Sequence, residues 1–491
     1  MIPTIAILTI HAVASVLLAA FGFHRLALAR AHRRIVQRRT PVIPVTSPSL
    51  PRVTVQIPLY NERYVADRAV RAVAALSYPR DRLDIQVLDD STDETTDRVA
   101  AVVRELRAQG IDIRHITRTR RVGFKAGALA CGLTAARGEF IAVFDADFVP
   151  HPDFLLRIVP EFRDPRVGMV QARWGHLNRD TSLLTRAQAL QLDAHFTLEH
   201  GVRADHGFFF NFNGTAGIWR RSTIEDAGGW QADTLTEDLD LSYRAQLAGW
   251  RFVYRDDVEV PAELPVEVSA YRVQQQRWAQ GGIQTARKIL PRVLRADLPP
   301  AVKRAAAWHL LIHLSYPLLV LVTLTGFAGS LLAGTSAMRW VLAVDGALLG
   351  FAMASLSVFY GTATATRSGT RWWRRLALVP VVMIVGAGIS FSQSLAVLRG
   401  LIDRPTPFRR TPKYRVRHRR DRTWRRASYR VPIGASAPLE LGIGLSLLGA
   451  AAVEAWQLRV VPSGLVLLLA IGLVCVSSGG IYQHLRTRPT S

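Results

Sequence analysis

The segment "FDADF" sets Asp145 and Asp147 two residues apart at the end of an apolar run. Residues two apart on a regular strand share a face, and where the chain turns the two carboxylates can still converge. Hard oxygen ligands of this kind suit Mg2+ or Mn2+, with phosphate oxygens completing the shell. Acidic pairs also occur in turns and caps, so spacing alone leaves both roles open. "GFKAGAL" places Lys125 at the opening of a helix between glycines, where backbone can approach phosphate. "LDDSTDET" puts Asp89 and Asp90 at another strand end, with helix capping by Ser91, Thr92 and Asp93 as the competing role. In "TEDLDLSYRAQLAGW", Thr236 is the expected N-cap and Glu237 and Asp238 fall in the first turn. Carboxylates there either complement the helix dipole or accept a proton from a hydroxyl nucleophile. "QQQRWAQGG" (Gln274 to Gly282) joins amides, a guanidinium and an indole just ahead of a long apolar stretch. Arginine and tryptophan gather at membrane edges, and an arginine fork also suits phosphate oxygens.

Short strand-like runs alternate with helix-like ones around these clusters. "VTVQIP", "DIQVLDD", "IDIRHI" and "FIAVFDADF" read as strands, separated by helical stretches at Glu62 to Leu76, Glu94 to Gln109 and "GFKAGALACGLTAA". This alternation predicts an α/β domain over residues 46–304, with a mostly parallel sheet covered on both faces. Ligands of such sheets bind beyond the carboxyl ends of the strands. Asp89, Asp90, Asp145 and Asp147 all belong to that edge.

The chain has 491 residues and 62 Lys+Arg against 38 Asp+Glu, a net charge of +24, yet 49% of it is hydrophobic. High charge with high hydrophobicity fits a membrane protein whose cytoplasmic segments carry the arginines. A basic nucleic-acid binder explains the charge alone, but acidic clusters at the strand ends would repel a phosphate backbone. No nucleic-acid partner is expected. Residues 1–29 read as a spanning helix followed by basic residues, and 305–366 and 437–483 as two helices each. The apolar segment 371–403 lies between basic flanks. A simple crossing would strand one flank outside, so it is expected to be interfacial or re-entrant. Residues 404–432 form an Arg-rich loop on the same side. Cys131 and Cys475 show no framework spacing and are expected to be buried thiols.

In order, "VQIPLYNE", "LDDSTD", "GFKAGAL", "FDADF", "NFNGTAGIWRR", "TEDLDLSYRAQLAGW" and "QQQRW" resemble the membrane-embedded, processive family 2 glycosyltransferases. The likeness is to the cellulose-synthase-like A group, the mannan and glucomannan synthases, with bacterial cellulose synthase more distant. It runs from Val53 to Gly282 and more loosely through the membrane region. It implies a cytoplasmic GT-A catalytic domain inserted between transmembrane helices. By the same resemblance Pro58, Tyr60 and Glu62 line the nucleotide pocket, and Asp89 lies near base and ribose with Asp90 beside it. Lys125 and Arg277 face the diphosphate, and Asp145 and Asp147 hold the metal, Mg2+ or Mn2+, with Asp145 also meeting the nucleotide. Asn213, Gly214 and Thr215 border the acceptor together with Gln274 and Trp278, whose indole forms a sugar platform. Asp238 is the implied general base, paired with Glu237. "FRRTPK" is similar to the family's gating loop, F-x-V-T-x-K: Phe408, Thr411 and Lys413 match, whereas Arg410 replaces the usual valine. The implied reaction is inverting polymerisation of a GDP- or UDP-hexose into a β-linked polysaccharide that passes through the plasma membrane. Single transfer to a lipid acceptor is the enzymatic alternative.

Overall fold

The computed structural model describes residues 2–36, 50–332, 335–368, 372–402, 409–421, 423–429, 431–458 and 463–486. The chain opens with α1 (Ile2–Val36). A βα alternation follows: β1 (Val53–Leu59), α2 (Ala66–Ala74), β2 (Leu83–Asp89), α3 (Thr95–Ala108), β3 (Ile113–Thr117), α4 (Phe124–Thr134) and β4 (Phe140–Val143). Each helix carries the chain back, so that the next strand enters parallel to the last. The register sets Leu59 beside Asp89 and Gln56 beside Val143, which brings the strand ends to one edge. The second half adds α5 (Phe154–Ile158), β5 (Val167–His176), α6 (Leu183–Ala194), α7 (Gly201–Asp205), β6 (Gly217–Arg220), α8 (Arg221–Asp226), α9 (Glu237–Leu247) and β7 (Arg251–Ala262). The seven strands lie in the order β3-β2-β1-β4-β6-β5-β7, with β6 antiparallel to both neighbours.

The central strands are buried on both faces, polar residues included. Several of those polar residues pair with one another across the strands. The Thr54 hydroxyl donates to Asp84 Oδ2 at 2.9 Å, and Gln56 Nε2 donates to Gln86 Oε1 at 3.0 Å. One apolar cluster, with Ile57, Val70, Val99 and Phe144, fills the side of α2 and α3. Another, with Leu129, Trp219 and Leu241, fills the side of α4 and α9. Two local expectations are corrected. Thr236 stands at the N-cap of α9 but makes no capping bond, because its buried hydroxyl pairs with the Thr285 hydroxyl at 3.1 Å. Cys131 and Cys475 are exposed rather than buried, since each lies on the helix face turned away from its packing neighbours.

The remaining helices are α10 (Val268–Arg295), α11 (Pro300–Leu310), α12 (Ser315–Leu332), α13 (Thr335–Ser368), α14 (Trp372–Leu376), α15 (Val379–Leu401), α16 (Ser436–Leu458) and α17 (Gly464–Arg486). Six segments among the described residues are long and apolar enough to cross a membrane: α1, α12, α13, α14 to α15, α16 and α17. They fit an integral membrane protein. The segment expected at the interface contains α15, unbroken over 23 residues. Its apolar window is 61% buried against 22–50% for the other five, because it packs on α10, α12, α17 and α6. Pro380 sits in its first turn, where a missing N–H costs nothing. Ser390, Ser392 and Gln393 are buried within that packing.

The contact between α15 and α17 depends on two glycines. A Cβ on Gly388 would lie 2.3 Å from the Gly472 carbonyl oxygen, so the two backbones touch. Gly388→Val should therefore destabilise the purified protein by about 1–3 kcal/mol, the usual cost of overpacking. Gly386→Val, where a Cβ would meet nothing within 4 Å, should leave the detergent melting curve unchanged. Equal curves for the two variants would refute the close contact.

Candidate active site

Beyond the carboxyl ends of β1, β2 and β4 lies a cavity of about 1320 Å³, counted with its open mouth. Lys125 reaches it from the start of α4. The turn before α4 is left-handed, with Gly123 at φ +72° and Phe124 at φ +49°. The Lys125 ammonium donates to Asp145 Oδ1 at 2.5 Å and to the Gly214 carbonyl at 2.8 Å. Burial opposes its charge, yet the carboxylates of Asp145, Glu237 and Asp238 hold its pKa above the ordinary lysine value. Asp145 lies just past β4, and its backbone N–H donates to the Thr215 hydroxyl at 2.9 Å. Asp147 Oδ2 accepts from Lys413 Nζ at 2.6 Å and from the Glu263 N–H at 3.3 Å. Lys413 belongs to the basic loop, which a second ion pair also ties down: Arg410 Nη1 lies 2.9 Å from Glu62 Oε2. The Arg410 guanidinium also stacks over the Tyr429 ring at 4.0 Å.

Asp238 faces the same space from the first turn of α9, with Oδ1 accepting from the Leu239 N–H at 2.9 Å. Gly214, at φ +80°, passes so close that a Cβ there would be 2.9 Å from Asp238 Oδ2. Gln274, Arg277 and Trp278 line the wall from α10, three and four residues apart and hence on one helix face. Among the described residues, no three His, Cys, Asp or Glu side chains form a metal cage. Asp145 and Asp147 fit the other mode, in which one or two carboxylates share a divalent cation with phosphate oxygens and water.

The family model described as "Glycosyltransferase like family 2" matches residues 51–281. Those residues are a family 2 glycosyltransferase domain. The chain is 47% identical over 254 residues to glucomannan 4-beta-mannosyltransferase 2 of Arabidopsis thaliana, covering 51% of this chain and 48% of that protein. It is 48% identical over 251 residues to probable glucomannan 4-beta-mannosyltransferase 7 of Oryza sativa subsp. japonica, covering 50% and 43%. The chain thus spans about half the length of the curated relatives it matches. A mannosyltransferase from Pyrobaculum calidifontis, solved in complex with GDP-Man and Mn2+, superposes with a TM-score of 0.55 at 23% identity, covering 81% of this chain and 100% of that one. The fold of the glycosyltransferase domain is GT-A-like.

Most residues singled out in the sequence meet in this domain's cavity: Pro58, Tyr60, Glu62, Asp90, Lys125, Asp145, Asp147, Asn213, Gly214, Glu237, Asp238, Gln274, Arg277, Trp278, Thr411 and Lys413 line it. Two do not reach the wall. Asp89 is the last residue of β2, and its carboxylate is taken by His115 Nε2 and the Ser91 N–H, each at 2.9 Å. Asp90, one residue on, turns to the cavity and is gripped by Arg118. Thr215 is fully buried beneath the site and supports Asp145. Phe408 lies outside the described residues. Sequence reasoning missed Arg121, Trp174, His176 and Glu263, which also line the cavity. Arg121, stacked on the Tyr60 ring at 3.4 Å, had a signal in the basic run ahead of "GFK". Glu263 had none, since it enters only because β7 ends beside Asp147.

Two carboxyls in the site hold their protons to neutral pH. Burial raises Glu62 to about 7 against the opposing charge of Arg410. Burial, and then the charge of Glu237, raises Asp238 to about 7 against Lys125 and Arg277. A carboxyl raised in this way binds its proton more tightly folded than unfolded. Its stabilisation is complete below the unfolded value of 4.5 for Glu62 and is lost as pH rises through about 7. For Glu62 the amount is about 3 kcal/mol. Buried His176 and His200, both held below the ordinary histidine value by desolvation, tilt the curve the other way. The readout is therefore the difference between Glu62→Gln and the parent. Whatever constant offset the lost Arg410 pair brings, this difference should shift in favour of the variant by up to about 3 kcal/mol between roughly pH 5 and pH 7.5. A pH-independent difference in melting would show that Glu62 is ionised throughout.

Proposed function

We propose that the protein is a membrane-bound inverting glycosyltransferase that polymerises a nucleotide-activated hexose into a β-linked polysaccharide. GDP-mannose is the favoured donor, and GDP-glucose a second. The observation that carries the reading is one cavity that gathers a paired lysine and carboxylates, a buried carboxyl with a pKa near 7, and an Arg-Trp face of α10. That face opens at the junction with the apolar helices. The glucomannan mannosyltransferase relatives support the choice of mannose and of a polymer. The Arg-rich loop docked on the domain supports a cytoplasmic site at the plasma membrane, with the growing chain leaving through the helices.

Asp238 takes the proton of the acceptor hydroxyl, whose oxygen attacks the anomeric carbon as the bond to the nucleoside diphosphate breaks. Attack opposite the leaving group turns an α-linked donor into a β-linkage. Lys125 and Arg277 meet the charge that develops on the departing diphosphate. Asp145 and Asp147 would hold Mg2+ or Mn2+, which when bound neutralises part of that same charge. Pro58, Tyr60, Glu62 and Asp90 border the nucleotide, and Thr411 and Lys413 close over it from the basic loop. Asn213, Gly214 and Gln274 border the acceptor, whose terminal sugar rests on the Trp278 indole.

Membranes carrying the chain, given Mn2+ or Mg2+ and labelled GDP-mannose, should yield a high-mass product that β-mannanase degrades. A lipid-soluble product would replace the polymer reading with single transfer, and no transfer from any GDP- or UDP-hexose would end both. Asp238→Asn should lower transfer by about a hundredfold to ten-thousandfold, the range for a lost general base. In the parent, the rate should fall about tenfold per unit below pH 7 as Asp238 takes up its proton. Trp278→Ala should abolish elongation with membrane insertion intact, and Arg277→Ala should raise the donor KM.

A further inference from the structure

The chain between α6 and α7, His195–His200, forms a wide helical turn with i to i+5 bonding. In an α-helix, residues five apart diverge by about 140° around the axis. The wider turn instead brings the His195 and His200 rings to 4.5 Å between centroids. Both rings meet one side chain, the amide of Asn213. Asn213 Nδ2 lies 3.3 Å from His195 Nε2, and Asn213 Oδ1 lies 2.7 Å from His200 Nε2. On the far side, His195 Nδ1 lies 2.7 Å from Glu199 Oε2.

The partners assign every proton in this chain. The amide nitrogen can only donate, so His195 Nε2 is a lone pair and its proton sits on Nδ1, donated to Glu199. His200 Nε2 also lies 3.1 Å from the Asn211 carbonyl oxygen, which can only accept, so His200 carries its proton on Nε2 and faces the amide oxygen of Asn213 with it. His200 Nδ1 is then bare, and it is buried with no hydrogen-bond partner. Burial holds His200 well below the ordinary histidine pKa, which keeps it in this neutral form. Burial works against a charge on Glu199, yet the hydrogen bond from His195 and the charge of Arg203 hold it below the ordinary carboxylate value. If the Asn213 amide flipped, its oxygen would face the His195 lone pair and its N–H would face the His200 N–H. The amide therefore has one orientation. Its backbone is pinned as well, because the Asn213 N–H donates to Gln171 Oε1 at 2.9 Å.

We propose that His195 and His200, backed by Glu199, are positioning residues that lock the Asn213 amide for recognition of the acceptor sugar. An amide has two N–H donors and two oxygen lone pairs, and the network uses one of each. The remaining N–H and lone pair belong to a side chain that lines the cavity, one residue before the glycine that abuts Asp238. A sugar hydroxyl bound there is held by a donor and an acceptor of defined identity, beside the carboxyl that takes its proton. The inference rests on the reading of this site as a glycosyltransferase with Asn213 on its acceptor side.

The test uses the full chain in detergent with GDP-mannose and a soluble β-mannan oligosaccharide as acceptor. His195→Ala and His200→Ala should each raise the acceptor KM about tenfold, with the donor KM held within about twofold. Slow hydrolysis of GDP-mannose in the absence of acceptor should persist in both. His200→Gln, whose amide N–H can replace the ring N–H toward Asn213 Oδ1, should recover most of the loss seen with His200→Ala. Donor and acceptor KM rising together, or an unchanged acceptor KM, would overturn the network. So would failure of His200→Gln to recover. If the unaltered chain transfers no sugar from any nucleotide donor, the functional reading fails and takes this inference with it.

Discussion

The site depends on neutralising carboxylates that the fold buries together. Glu62, Asp145, Asp147, Glu237, Asp238 and Glu263 line one cavity, and an unpaired buried charge costs several kcal/mol. The compensating cations come from distant parts of the chain. Lys125 arrives from α4 to meet Asp145, and Arg410 and Lys413 come from the basic loop to meet Glu62 and Asp147. Tyr414 continues that docking, its N–H donating to Glu263 Oε1 at 2.8 Å and its hydroxyl to Glu267 Oε2 at 2.8 Å. The loop is thus seated by the acidic site beneath it. In the proposed reaction the same cations stand where a nucleoside diphosphate would bring its own negative charge. Carboxylate pairing then holds those cations in place for the donor.

A second constraint is the fit of α10 between the domain and the apolar helices. Gly281 lets α10 approach the start of α9, where a Cβ would come 2.9 Å from the Thr236 nitrogen. On the other side, Arg272 pairs with Glu440 of α16 at 2.6 Å, and both are buried. Breaking one member of such a pair is far costlier than the pair is worth as a net attraction, so it serves registration. The result sets Gln274, Arg277 and Trp278 at a fixed depth between the Asp238 carboxyl and the helix bundle. Tight seating of α15 against α10 adds to the same end, since a Cβ on Gly400 would lie 2.8 Å from the Gln280 carbonyl oxygen.

Much of the arrangement was legible in the sequence because it is local. Strand ends, the glycine-flanked start of α4, the first turn of α9 and the i, i+3, i+4 face of α10 follow from backbone period and helix termini. What was missed involves neighbours in space. Asp89 and Asp90 are adjacent and chemically alike. Only the pairing of β2 with β3 places His115 beside the first and leaves the second to the cavity. Thr215 looked like part of an acceptor wall, yet its hydroxyl sits under Asp145 because β4 and β6 run side by side. His195, Glu199 and His200 carried no pattern at all, since their chemistry needs a wide turn that periodicity does not announce.

By itself the sequence determined the α/β order, the strand edge where the acidic residues collect, the apolar helices and the family of the domain. These are set by side-chain alternation, hydropathy and motif order, all short-range properties of a chain. The tertiary structure decided which carboxylates are exposed to the cavity and which are spent on neighbours, and which cation answers each. It also decided that Glu62 and Asp238 titrate near neutral pH rather than in the ordinary carboxylate range. Burial and Coulomb interaction act through space, and their strength depends on distances between residues that can lie hundreds of positions apart.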